Sequence, residues 1–266
     1  MPPEEELDVR EALATGERLD EIIVRAAHDR DLLEELIKYL DDDLWTVQKN
    51  ALIAIVEVIE DYEELFDPLL RKLLVMIRKS EAVPLTIEVA RAIGKLSKIK
   101  PDLVKNAVPV IFANYRIGDP KIKINMAYVL EEIMRQNPVL IGNMLRDIVN
   151  LLNSPDETDR LTALNFISAL GENSPRYITP FLPRLLSLLY DKDEIVRASV
   201  VETLVEVAVN SPKFRKIIKA KLAELNDRSE LVMGRVRDGL NKIALAEIEE
   251  IHDESEEPEE SGESED

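Results

Sequence analysis

Two histidines, His28 and His252, are the only imidazoles in this 266-residue chain, and it has no cysteine. Without cysteine there is no thiolate nucleophile, no disulfide framework and no thiolate-ligated zinc or iron–sulfur site. The histidines stand near opposite ends of the sequence, each followed by an aspartate (Asp29 and Asp253). One such dipeptide at each end is not a metal-ligand set, so both read as surface histidines. Asp41-Asp42-Asp43 could attract a cation, but it reads more simply as a solvated turn whose last member caps the next helix. Asp156, Glu157 and Asp159 form a second acidic helix start of the same kind. The sequence holds no Gly-x-Ser-x-Gly elbow, no Gly-x-x-x-x-Gly-Lys loop and no dinucleotide fingerprint. These residues point to no enzyme, no cofactor and no metal. The lone tryptophan, Trp45, either anchors a partner or packs over a neighbouring helix cap.

Charge is more informative. The chain carries 53 Asp+Glu against 34 Lys+Arg, a formal charge of −19, with 45% hydrophobic but only 5% aromatic residues and 8 glycines. Few glycines and aromatics argue against a β-rich fold. The acids are concentrated: residues 4–64 are net −14 and residues 252–266 net −9, which leaves +4 for the stretch between them. Within that stretch, residues 71–105 hold nine bases and three acids, and residues 212–242 nine bases and four acids. No apolar run approaches the ~18 residues that span a bilayer, so no membrane insertion is expected. The acidic start, Met1-Pro2-Pro3-Glu4-Glu5-Glu6, does not resemble a targeting peptide. A cytoplasmic protein is the expectation, and the lack of Cys, the scarcity of Gln and the abundance of Glu, Lys and Arg fit a thermophile.

The elements that must position these charges follow from a repeat. Pro101, Pro138, Pro175 and Pro212 are 37 residues apart. The same step carries Leu33, Leu70, Ala107, Met144, Phe181 and Ile218, and further apolar columns lie four and seven residues later. Steps of four and three define one face of an α-helix, helix A. A second apolar face, helix B, follows in each repeat: Ile53, Val56 and Ile59; Ile87, Ala90, Ile93 and Leu96; Ile124, Ala127, Leu130 and Ile133; Leu161, Leu164, Ile167 and Leu170; Ala198, Val201, Leu204 and Val207. Between them Asp119, Asp156, Asp193 and Glu230 keep the period, placed to accept first-turn N–H groups of helix B. Proline opening helix A forfeits no hydrogen bond. The expected organisation is N-terminal capping helices over 1–26, broken at Thr15-Gly16, six helix–turn–helix repeats over 27–251, and a disordered acidic tail over 252–266.

The column chemistry resembles the HEAT repeats of the armadillo-like superfamily. That family sets a proline inside helix A, an Asp-rich turn, and Val-Arg opening helix B. Pro183, Asp191, Asp193, Val196 and Arg197 occupy those places, and Pro109 repeats the helix A proline. The family's arginine column runs Lys49, Lys123, Arg160 and Arg197, broken by Thr86 and Gly234. The resemblance covers about residues 27–248. It implies an all-α fold, an α-α superhelix or solenoid of about thirteen or fourteen helices. It also implies a ladder joining Asp119, Asp156 and Asp193 to Lys123, Arg160 and Arg197. The period of 37 is shorter than the roughly 40–47 usual for such repeats, so connections should be tight.

Parallel B helices of a solenoid line a groove that holds proteins. An interaction scaffold with a protein partner is therefore the first expectation. Arg91, Lys95, Tyr128, Glu132 and Arg135 face outward from helix B of the middle repeats. The alternative is nucleic-acid binding through the basic last repeat, at Lys213, Arg215, Lys216 and Lys219. Net charge opposes it, and the acidic tail either only solubilises the chain, touching nothing, or shields those bases by exposed, salt-screened contacts.

Overall fold

The computed structural model describes residues 7–256. They form fifteen α-helices and four short 3-10 segments, with no strand among the described residues. The chain divides into two compact units, Met1–Leu145 and Arg146–Asp266. The N-terminal unit opens with α1 (Val9–Thr15) and α2 (Leu19–Ala26). The helix A/helix B pairs α3 (Arg30–Tyr39)/α4 (Trp45–Val58) and α5 (Phe66–Lys79)/α6 (Val83–Ile99) follow. Its third pair is α7 (Pro101–Lys105) with α8 (Val108–Ile117), then α9 (Pro120–Gln136). The C-terminal unit is built from α10 (Leu145–Leu152)/α11 (Glu157–Asn173), α12 (Leu182–Leu188)/α13 (Glu194–Asn210) and α14 (Pro212–Glu224)/α15 (Glu230–Glu256).

Local chemistry explains the boundaries. Asp119 accepts from Ile122 N–H at 2.9 Å, Asp156 from Thr158 at 2.8 Å, and Asp193 from Ile195 at 2.9 Å and Val196 at 3.3 Å. Each satisfies orphan donors of its helix. Gly16, at φ 79°, ends α1 in the left-handed conformation that glycine adopts without strain. The helix count exceeds the sequence expectation because helix A is split where it holds a proline. Pro109 sits in the first turn of α8 and Pro183 in that of α12, since a proline cannot take the hydrogen bond of a helix interior. Short 3-10 segments, Pro138–Met144 and Pro175–Ile178, precede α10 and α12.

The B helices carry the core. α6 and α13 each bury nine residues, because α6 packs on α4 and α9, and α13 on α11 and α15. An outer helix such as α14 buries four. Leu130 and Ile167, both fully buried, lie on the expected face. Two expectations need correction. In α4 the buried face is Val47, Ala51, Leu52, Ala54, Ile55 and Val58, while Ile53 and Val56 are half-buried; α1 and α2 also pack on α4 and turn its inner side. Ile124, in the helix B column, is 57% exposed. At the other end α15 continues to Glu256, into the stretch that composition assigns to the tail; residues 257–266 lie outside the described residues, as do 1–6.

Candidate functional site

In the N-terminal unit, the C-terminal halves of three B helices form an open groove of roughly 850 Å³. α4 and the turn after it contribute Val56 and Glu60, α6 contributes Arg91, Lys95, Lys98 and Ile99, and α9 contributes Glu132, Arg135 and Gln136. Positions 91, 95 and 98 step by four and three, so one face of α6 presents all three bases. Four of the five residues expected here from the sequence, Arg91, Lys95, Glu132 and Arg135, line the groove together. Tyr128 is half-buried and does not line it. Lys98 was legible in the same periodicity, one step beyond Lys95; Glu60 was not, because it lies in a 3-10 turn past the end of α4.

A glycine sets the width of the groove. A Cβ on Gly94 would fall 2.9 Å from Glu132 Cβ and 3.2 Å from its carbonyl, so only glycine lets α9 approach α6 this closely. Most lining charges are matched locally. Arg91 pairs with Glu88 at 2.8 Å and Arg135 with Glu132 at 2.6 Å. Lys95 donates to the Val56 carbonyl at 2.7 Å and lies 3.3 Å from Glu60, so it caps the end of α4. Lys98 is exposed and has no carboxylate partner among the described residues.

A second groove, of roughly 760 Å³, lies between α13 and α15 in the C-terminal unit. Its charged lining is Glu202, Glu206, Asp238, Arg235 and Lys242, with Arg235 and Glu202 paired at 2.8 Å. The basic stretch on α14 is not the open track that its composition implied. Arg215 is only 7% exposed, and its guanidinium donates to the carbonyls of Ala208 and Val209 and to Glu250. Lys219 pairs with Glu247, and Lys213 lies over the Phe214 ring. The last turns of α15 thus supply the acids that neutralise α14. Lys216 alone of the four stands exposed without a partner among the described residues.

The Arg–Asp ladder exists, with different acids. Arg160 meets Asp191 at 3.2 Å, and Arg197 meets Asp227 at 2.5 and 2.9 Å. Asp156 and Asp193 spend their carboxylates on helix caps instead. Hydrogen bonding from Arg197 holds the Asp227 carboxyl below the ordinary aspartate value, and the same contact raises the guanidinium. In the acidic turn, Asp41 pairs with Lys72 and Asp42 with Arg10. The N-cap of α4 is Leu44, not Asp43, and Asp42 accepts the Leu44 N–H. Trp45 begins α4 and is 43% exposed. Among the described residues no group of three or more His, Asp or Glu could hold a metal ion, and no helix is long and apolar enough to cross a membrane.

Residues 41–85, from the first A–B turn into the start of α6, match the HEAT-type family model described as "Repeat of uncharacterized protein PH0542". Among solved structures, the chain is similar to the archaeal HEAT-like repeats protein from Thermococcus onnurineus NA1. Identity is 17% over 90% of this chain and 97% of that one, with a TM-score of 0.45. An engineered protein matches at 18% identity over 80% of this chain and 97% of its own, with a TM-score of 0.42. Computationally designed armadillo repeat proteins for modular peptide recognition match at 16% identity over 79% of this chain and 99% of theirs, with a TM-score of 0.43. No curated protein matches the chain.

Proposed function

We propose that this chain of HEAT-like repeats is a non-catalytic protein-binding scaffold, which holds an extended segment of a protein partner in the groove of α4, α6 and α9. The observation that supports it is the convergence of three successive B helices on one open, charged floor, held close by Gly94. Solenoids hold ligands on such surfaces because each repeat adds one more short stretch of contact. Nucleic acid along α14 is the weaker reading, since burial and ion pairing occupy Arg215 and Lys219.

A pulldown with the tagged full chain, from lysate of the source organism, tests the reading when run with and without nuclease. A nuclease-resistant protein should be recovered by the wild type and by Lys216→Glu, and lost with the double variant Arg91→Glu/Lys98→Glu. Equal recovery by the wild type and the double variant, or loss of all bands to nuclease, would reject it.

A further inference from the structure

The charges left over in the two grooves differ in sign. In the groove of the N-terminal unit each lining carboxylate already holds a base, Glu60 with Lys95 and Glu132 with Arg135. Lys98 is unmatched among the described residues, and the Arg91 side chain stays 60% exposed despite Glu88. The C-terminal ends of these helices bring some negative field, offset at α4 by the Lys95 ammonium on the Val56 carbonyl. The uncommitted charge is cationic. In the groove of the C-terminal unit, pairing Arg235 with Glu202 leaves Glu206 and Asp238 against Lys242, so the excess there is anionic.

We infer that the α4–α6–α9 groove selects an acidic, extended peptide segment, read by Arg91 and Lys98; this rests on the scaffold reading above. The two bases stand seven residues apart on one helix. At ~1.5 Å per residue that is about 10 Å. An extended peptide rises ~3.3 Å per residue, so carboxylates three residues apart reach both bases. Arginine offers a carboxylate a two-pronged contact and lysine a point charge. Contacts of this kind are exposed, so they weaken as salt screens them over about 8 Å at physiological strength. Lys95 and Arg135 hold the groove in shape through Val56, Glu60 and Glu132.

Fluorescence anisotropy with the full chain tests this. The probes are a labelled Ser/Gly peptide with glutamate at every third position, the same peptide with lysine there, and a short oligo-dT. The glutamate peptide should bind at low salt and the lysine peptide should not. Arg91→Glu/Lys98→Glu should weaken binding by about tenfold or more. Lys216→Glu, which reverses an exposed base outside the groove, should leave it unchanged. Circular dichroism and thermal unfolding show whether each variant folds; if the double reversal does not, Lys98→Gln alone should still weaken binding. Equal binding of both peptides, or glutamate binding indifferent to every groove variant, overturns the inference. So does oligo-dT binding as tightly and being lost in the same variant, which would make the groove a phosphate site. Recovery of a groove-dependent partner in the pulldown, with no binding of the glutamate peptide, overturns the acidic ligand and leaves the scaffold standing.

Discussion

The two units join their neighbouring repeats by different chemistry. In the N-terminal unit the buried crossing bonds are made to backbone carbonyls, beside more exposed ion pairs such as Lys72 with Asp41 and Lys121 with Glu81. The buried Asn50 amide donates to Leu13 O at 2.7 Å, and Asn125 to Ile77 O and Ser80 O at 2.8 and 3.1 Å. Lys72 reaches Ile37 O at 2.9 Å. In the C-terminal unit the joints are guanidinium–carboxylate pairs, Arg160 with Asp191 and Arg197 with Asp227. One column of the repeat behaves differently in the two units. Arg160 and Arg197 close their own A–B turn, on Ser154 O and Asp191 O respectively, and still reach the next repeat. Thr86, in the same column, closes its turn through Ser80 and Ala82 and extends no further. At Lys49 and Lys123, where the column holds lysine, a neutral amide one or two residues later, Asn50 or Asn125, makes a buried crossing to the preceding repeat or cap. The amide joint itself carries no charge, so acid should weaken the buried Arg–Asp joint and spare the amide one.

The largest effects should not distinguish the units. Leu130→Ala and Ile167→Ala, one fully buried in each, should each cost about 2–5 kcal/mol in urea unfolding, because both leave a cavity between stacked helices. No change in either would mean that the buried face is misassigned.

Arg160→Met should come next, at about 3 kcal/mol, since Arg160 is 3% exposed and its loss strands Asp191. Arg160→Lys should recover only part of this, because an ammonium cannot serve the turn carbonyls and Asp191 in one plane. Full recovery by lysine would show that charge alone makes the joint.

Asn125→Ala should cost about 1–3 kcal/mol by leaving two buried carbonyls without a donor. Hydrogen exchange should place that loss in α5, α6 and α9 and spare α13, and the cost should be the same at neutral and mildly acidic pH. An acid-dependent cost would erase the contrast between the joints.

The pH effect is smaller and its sign is fixed. Arg197 lowers the Asp227 pKa. The pair therefore contributes its full stability above the unfolded aspartate value of about 3.9, and loses it as pH falls through the lowered folded value. Asp227→Asn should lower the melting temperature at neutral pH and flatten its fall in acid. An unchanged acid limb would place the sensitivity elsewhere. Smallest of all, Lys98→Glu should shift stability by no more than about 0.5 kcal/mol, as for an exposed side chain without a partner. A larger loss would make Lys98 structural and remove it from the proposed site.

Much of this architecture is written locally in the sequence. The 37-residue step, the prolines opening α7, α9 and α14, the aspartate caps of α9, α11 and α13 and the glycine ending α1 all act within a few residues of themselves. A cap hydrogen bond spans two or three positions, so its partners are legible without a fold. The stripe of Arg91, Lys95 and Lys98 was legible for the same reason, as one face of one helix. Its meeting with Glu132 and Arg135 was expected from the order of the repeats.

Tertiary structure decided everything that depends on distance between helices. Asp156 and Asp193 kept the period of the arginine column, yet Asp191 and Asp227 meet it, because the cap aspartates turn toward their own helices. Nine bases near the C-terminus looked like a patch; the length of α15 brings Glu247 and Glu250 onto α14 and neutralises its centre. Composition fixes how many charges exist. Only packing fixes which of them lie within a few ångströms, and electrostatic energy falls off with that distance.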